Sequence, residues 1–323
     1  MILTEFLPAR PNRLWDWCRQ LGVRHAICKC APELTGLPPP WDFSALRRIQ
    51  QQFADGGLVL HGLEGDPFDM SRIKLGLPGR EEDLEHYRQM LRNMGKLGIP
   101  LLCYNFMAGI GWHRSQTGAE TRGGARTSRF DLRDVPESLT AVGEVSREQM
   151  RENYGNFLSS VLPTAEEAGV KMGLHPDDPP IPRLRGISRI LSNPEDIHYA
   201  LSLSNSPSHG VTFCQANFEL MGADIPTLVR QLCAERRMFF VHFRNIRGTA
   251  DSFEETFHDD GEIDMPERIR LYHDSGFSGP IRIDHVPTLA GEENDNPGYA
   301  MLGRLFAIGY LKGILQTLRI PVE

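Results

Sequence analysis

Eight times along the chain a short apolar, β-branched run gives way to a stretch of helical periodicity. Strands are expected at residues 2–6, 23–29, 58–63, 99–105, 170–175, 211–214, 238–243 and 281–284. The helices between and after them are expected at 12–20, 43–54, 80–97, 147–168, 194–203, 225–235, 265–273 and 299–318. Strict alternation of this kind builds a parallel sheet covered by helices, and no linker rich in Gly, Ser or Pro divides the chain into halves. The expected fold is therefore an α/β protein, one (β/α)8 TIM barrel spanning residues 1–323, rather than an open sheet. Stretches such as "LGVRHAIC", "LGIPLLCYNF" and "AGVKMGLH" begin with the glycine that ends a helix before the chain turns into the next strand, a purely architectural signal.

One segment interrupts the rhythm. Residues 107–145, with "GIGWHRSQTGAETRGGARTSRFDLRD", are too long for an ordinary connection and form an insertion after the fourth strand. A lid over the substrate, a tolerated surface excursion and a subunit contact are all compatible with its composition.

Charge narrows the class of partner. The formal charge is −7 and no run of Lys or Arg exceeds two, so neither nucleic acid nor an anionic membrane is expected as a partner. No stretch nears the ~20 apolar residues needed to span a bilayer, and the first residues lack the pattern of a secretory leader; a cytoplasmic protein is expected. The six cysteines, at 18, 28, 30, 103, 214 and 233, are scattered and read as reduced thiols, the C-x-C at 28 and 30 lacking the spacing of a redox or zinc motif. A homodimer is the expectation from base rates alone.

In a parallel barrel the chemistry gathers at the carboxyl ends of the strands. Four consecutive strands end in residues that bind metals: His175 in "MGLHP", Cys214 in "VTFCQ", His242 in "FVHFRN" and Asp284 in "IRIDH". Each has a plain structural role open to it: a hydrogen-bonded histidine, a packing cysteine, a helix-capping aspartate. Together, at one level, two imidazoles, a thiolate and a carboxylate suit a divalent transition metal.

The motifs "LCYNFM", "HPDDPP", "RGISRILSNPEDI", "FC", "VHFRN", "FEETFHDDGEIDM", "GFSGPIRIDH" and "NPGY" resemble, in order and spacing, the mannonate dehydratase family, most closely from Leu101 to Leu318. The resemblance implies a xylose-isomerase-like TIM barrel that binds Mn²⁺ or Fe²⁺ and removes water from a six-carbon sugar acid to give 2-keto-3-deoxygluconate. It places the family's metal ligands on His175, Cys214, His242 and Asp284, and its catalytic histidine and tyrosine on His285 and Tyr299. The chain departs from the family pattern in "CQANFELMG", where Phe218 and Glu219 intrude, at Val286, which replaces a glycine, and at Glu262, which replaces an aspartate.

Elimination beside a carboxylate needs a Lewis acid, a base for the C2 proton and an acid for the departing C3 hydroxyl. His285 and Tyr299 are the candidates for the two proton transfers, with no assignment between them. Substrate contacts are expected from Arg244 as a bidentate carboxylate clamp, from Arg282, from His113 in "GWHRS", and from Asp177, which with Asp178 either bonds the ligand histidine or a substrate hydroxyl or simply forms a solvated, proline-held turn. Arg114 and His258 are weaker candidates, and His61 is expected either at the mouth or in the core. The same barrel and ion would also serve a sugar isomerase or epimerase, and a catalytically silent sugar-acid binder is the reading from outside enzymology.

Overall fold

The computed structural model describes all 323 residues. Eight parallel strands close into a barrel: β1 (Ile2–Phe6), β2 (His25–Cys28), β3 (Val59–Glu64), β4 (Leu101–Tyr104), β5 (Lys171–Leu174), β6 (His209–Cys214), β7 (Met238–Phe243) and β8 (Pro280–Ile283). Each pairs with its sequence neighbours and β8 pairs with β1, so the expected topology holds. An apolar cluster of 77 buried residues, drawn from Met1 to Ile320, lies between the strands and the surrounding helices. Ile27, Leu101, Cys103, Phe239 and Phe240 form a second, smaller apolar cluster, and the mouth lies at the carboxyl ends of the strands.

The helices start where the caps predict. Ser146 Oγ accepts from the Gln149 amide to open the helix Arg147–Ala168, and Gly169, at φ 69°, ends it in the left-handed conformation before β5. Asn193 and Asp264 cap the helices Pro194–Ser202 and Met265–Asp274 in the same way.

The insertion is ordered and anchored. Its strands Gln116–Glu120 and Arg126–Asp131 form an antiparallel pair, and the second pairs with Ser252–Glu255 of the hairpin that follows β7, giving a four-stranded sheet beside the mouth. Arg126 and Thr288 exchange both backbone hydrogen bonds, at 3.0 and 2.7 Å, which ties the same strand to the loop after β8.

His61 is not at the mouth. It faces the opposite end of the barrel beside Pro100, Lys171, Gly279 and Pro280, where burial, and secondarily His25, push its pKa down to about 4.

Candidate active site

A cavity of about 320 Å³ opens at the carboxyl ends of the strands and is lined by Glu64, His175, His242, Arg282, Asp284, His285 and Tyr299, among others. Strand register explains the gathering. Cys214 pairs with His242, and His242 with Arg282, so side chains from β6, β7 and β8 stand at one level. Asp284 lies two residues beyond Arg282 and projects to the same face of its strand.

The donor atoms of His175, Cys214 and His242 lie within 4.8 Å of one another. The Nδ1 of His175 is 2.7 Å from the Pro176 carbonyl oxygen. A carbonyl can only accept, so Nδ1 carries the proton and Nε2 is left with a lone pair. Burial lowers the His175 pKa, favouring the neutral ring that ligation requires. His242 is 1% exposed, yet neither of its ring nitrogens has a hydrogen-bond partner, an arrangement that a bound cation explains. Asp284 stands at the edge of this group, its Oδ2 3.8 Å from His242 Nδ1, while Oδ1 accepts from Arg282 Nη1 at 2.8 Å. The donor set therefore fits a transition metal, with three donors converged and the carboxylate beside them.

Two residues that sequence reasoning missed complete this wall. Glu64, at the end of β3, and Cys103, on β4, form a second group with His242 within 4.8 Å. Glu64 Oε2 lies 3.4 Å from His242 Nε2, and both Glu64 oxygens accept from Arg282, at 2.6 and 3.1 Å. Burial would raise the Glu64 carboxyl, but Arg282 and His242 outweigh it and bring it down to about 2. Its signal was the same one that singled out His175: "LVLHGLEG" ends a strand at the mouth. Arg282 lines the cavity, with its guanidinium shared between the Glu64 and Asp284 carboxylates.

After β8 the chain turns back so that Val286 N donates to Gly298 O at 2.9 Å, which brings Tyr299 beside Asp284. Gly298 has φ +84°, and a Cβ there would lie 3.2 Å from the His285 ring, so glycine satisfies both backbone and neighbour. Tyr299 Oη is 3.4 Å from Asp284 Oδ1, and its ring packs edge-on against His285 with centroids 5.2 Å apart. Burial and then the Asp284 charge push the Tyr299 phenol well above its usual range. Val286 directs its side chain at Gly303 of the helix Met301–Thr317, and is not a lining residue.

Several expectations need correction. "HPDDPP" is not a solvated turn: Asp177 and Asp178 are both buried. Neither bonds His175. Asp177 Oδ2 accepts from the Leu191 amide at 2.7 Å and its other oxygen faces Arg189, so its carboxylate fastens a loop and does not reach the cavity. Arg244 is fully buried and off the cavity wall; its terminal nitrogens are taken up by Asp178, Asn217, Glu255 and His285, leaving no fork for a substrate carboxylate. His113 lies outside the cavity against Phe130, whereas its neighbour Trp112 lines it. His258 donates from Nε2 to the Phe243 carbonyl at 2.7 Å and acts as a buried strut. The unusual "CQANFELMG" forms the short helix Gln215–Leu220, in which Phe218 stacks on Phe213, Gln215 Nε2 donates to the Arg244 carbonyl at 2.8 Å and Asn217 accepts from the Arg244 guanidinium.

The family model described as D-mannonate dehydratase (UxuA) matches residues 19–142 and 131–321. Mannonate dehydratase 2 of Halalkalibacterium halodurans is 32% identical over 305 residues, covering 86% of this chain and 88% of that protein. The mannonate dehydratase of Enterococcus faecalis is 32% identical over 316 residues, covering 86% of each. Among solved structures, the mannonate dehydratase from Streptococcus suis serotype 2 superposes with a TM-score of 0.89 at 26% identity, over 100% of this chain and 97% of that one. An L-ribulose 3-epimerase at 14% identity and TM-score 0.60 shares the barrel alone.

Proposed function

The chain belongs to the D-mannonate dehydratase family, and from that premise we propose that it removes water from D-mannonate to give 2-keto-3-deoxy-D-gluconate. The observation that carries the reading is the placement of His285 and Tyr299 on either side of Asp284, in the cavity walled by His175 and His242. An epimerase reading has only the shared barrel behind it.

In this reading His175, Cys214, His242 and Asp284 hold Mn²⁺ or Fe²⁺, which supplies Lewis acidity for the negative charge that develops next to the substrate carboxylate. His285 takes the proton from C2 through the ring edge that faces the cavity. The C2–H electron pair becomes the C2–C3 double bond as the C3 hydroxyl departs. Tyr299 gives that hydroxyl its proton, so that water leaves, and the resulting enol ketonises to the 2-keto-3-deoxy acid. The division of labour is part of this reading: the Tyr299 hydroxyl beside Asp284 is the donor, and His285, whose Nε2 faces the cavity, is the base. Arg282 holds Asp284 and Glu64 in place at the floor of the site.

The test is incubation of the purified protein with D-mannonate and Mn²⁺, alongside other hexonic and pentonic acids, with direct detection of 2-keto-3-deoxy product. Formation of an epimer without loss of water, or no product from any acid, defeats the reading.

A further inference from the structure

Beside the proton-handling residues lies a buried block of four charges that elimination chemistry does not itself require. Arg114 comes from the insertion, Asp178 from the loop after β5, Arg244 from the residue after β7, and Glu255 from the hairpin that follows. Arg114 donates twice to Asp178 and twice to Glu255, and Arg244 donates to Asp178 at 2.7 Å and to Glu255 at 2.8 Å. Two cations and two anions cancel among side chains no more than 3% exposed, with Asp178 at the edge of the cavity. One edge of this block touches the site: Glu255 Oε1 lies 2.7 Å from His285 Nδ1, and Arg244 Nη1 lies 2.6 Å from the same nitrogen.

We propose that Glu255 is a positioning residue for His285, and that Arg114 makes the insertion 107–145 a fixed brace of the catalytic centre instead of a lid. The inference rests on the reading of His285 as a proton carrier. Nδ1 meets an obligatory acceptor in Glu255 and an obligatory donor in Arg244, so the ring is gripped by that edge whether Nδ1 carries a proton or a lone pair. Nε2 is left on the cavity side, 3.7 Å from Asp284 Oδ1. Trp112, also from the insertion, packs edge-on against the ring at 5.3 Å, opposing rotation about the gripped edge.

Glu255 is in turn held by the insertion from two directions. Arg114 binds its carboxylate, and Thr127 Oγ1 donates to its backbone carbonyl at 2.7 Å. The Arg114 side chain has no solvent exposure and lies between the rings of Trp112 and Phe253, 4.8 Å from each centroid. Lifting the segment away would strip both carboxylates of one of their two arginines in a low-dielectric setting, which is why it serves as a brace.

Glu255→Gln keeps the shape of the side chain and removes its charge; Glu255→Asp keeps the charge and withdraws the oxygen by one methylene; Arg114→Lys keeps all four charges but loses the planar fork. With D-mannonate as substrate and Mn²⁺ present, kcat is expected to fall about 10²-fold in Glu255→Gln and about 10-fold in Glu255→Asp and Arg114→Lys, with KM and bound Mn²⁺ unchanged within about twofold. Arg114→Lys and Glu255→Asp carry the test if Glu255→Gln does not accumulate as folded protein. A kcat within about twofold of the parent in the folded variants overturns the proposal, as does a loss of kcat matched by an equal loss of bound Mn²⁺, which would mark general collapse. If the parent protein makes no product, the reading of the site falls and this proposal with it; if the parent turns over and the variants equal it, only the positioning role falls.

Discussion

Replacing Arg114 by methionine should destabilise the protein far more than a single side chain at the edge of an insertion ordinarily could. The substitution keeps an unbranched stem between Trp112 and Phe253 but leaves Asp178 and Glu255 with one arginine between them, turning a neutral block into one carrying a net negative charge. Removing one partner from a buried ion pair costs about 3–5 kcal/mol, and because Arg244 still reaches both carboxylates, a value near 3 kcal/mol is expected. For 323 residues, an unfolding entropy of about 2.1 cal/mol/K per residue converts this into a fall of roughly 4–5 °C in melting temperature. Differential scanning calorimetry of the Mn²⁺-saturated protein reads it. The sharper test is the double variant Arg114→Met with Asp178→Asn. Neutralising one anion restores the balance of charge, so the double variant should melt above Arg114→Met alone, with a coupling of about 1–2 kcal/mol. A melting point for Arg114→Met within about 1 °C of the parent, or a double variant that falls by the sum of the two single losses, would refute the claim that these four charges act as one unit.

His242→Ala should abolish stoichiometric Mn²⁺ binding, read by elemental analysis, with the far-ultraviolet circular dichroism of the barrel unchanged; retained metal would remove His242 from the donor set. His285→Gln should lower the rate of 2-keto-3-deoxy product formation by about 10²-fold or more with metal retained, and an unaltered rate would dismiss it as the proton carrier. A pH effect follows from His258, which burial brings from an ordinary 6.5 down to about 4. Between those values the unfolded chain binds the proton and the folded chain does not, so stability is complete above the window and falls as pH drops through it, by up to about 3 kcal/mol. His258→Gln should flatten that decline in urea titrations on either side of the window; parallel pH profiles for parent and variant would count against it.

The regular part of the fold was legible because its pattern is local. The strands at 2–6 and 238–243 and the helix at 147–168 fall at the expected residues, since apolar periodicity and caps lie within each segment. The β6 strand begins at His209, earlier than expected, because histidine and glycine at its start hide an otherwise buried run. The side sheet was not legible at all. "QTGAE" and "RTSRFD" carry no clean alternation, and the partner of the second strand lies more than a hundred residues downstream. At the site, residue type and strand-end position pointed to His175, Cys214, His242 and Asp284, and the family resemblance added His285 and Tyr299; all of these but Cys214 line the one cavity. Partners were not readable. Asp178 looks like a turn residue until Arg114 and Arg244 are seen against it, and Arg244 looks like a substrate clamp until its donors are found already occupied. Burial would raise Asp178, but those two arginines hold it well below the usual carboxylate range, a property fixed wholly by neighbours remote in sequence.

The sheet shared by the insertion and the hairpin after β7 also bears on how the molecule is made. Arg126–Asp131 has no partner on its outer side until Ser252–Glu255 has been synthesised, and Arg126 is not tied down until Thr288 follows. Contacts of such long sequence separation form late. Closing the cylinder needs a longer separation still, Ile2 pairing with Pro280, so a product truncated before residue 255 would lack both the rim and the last strand of the barrel.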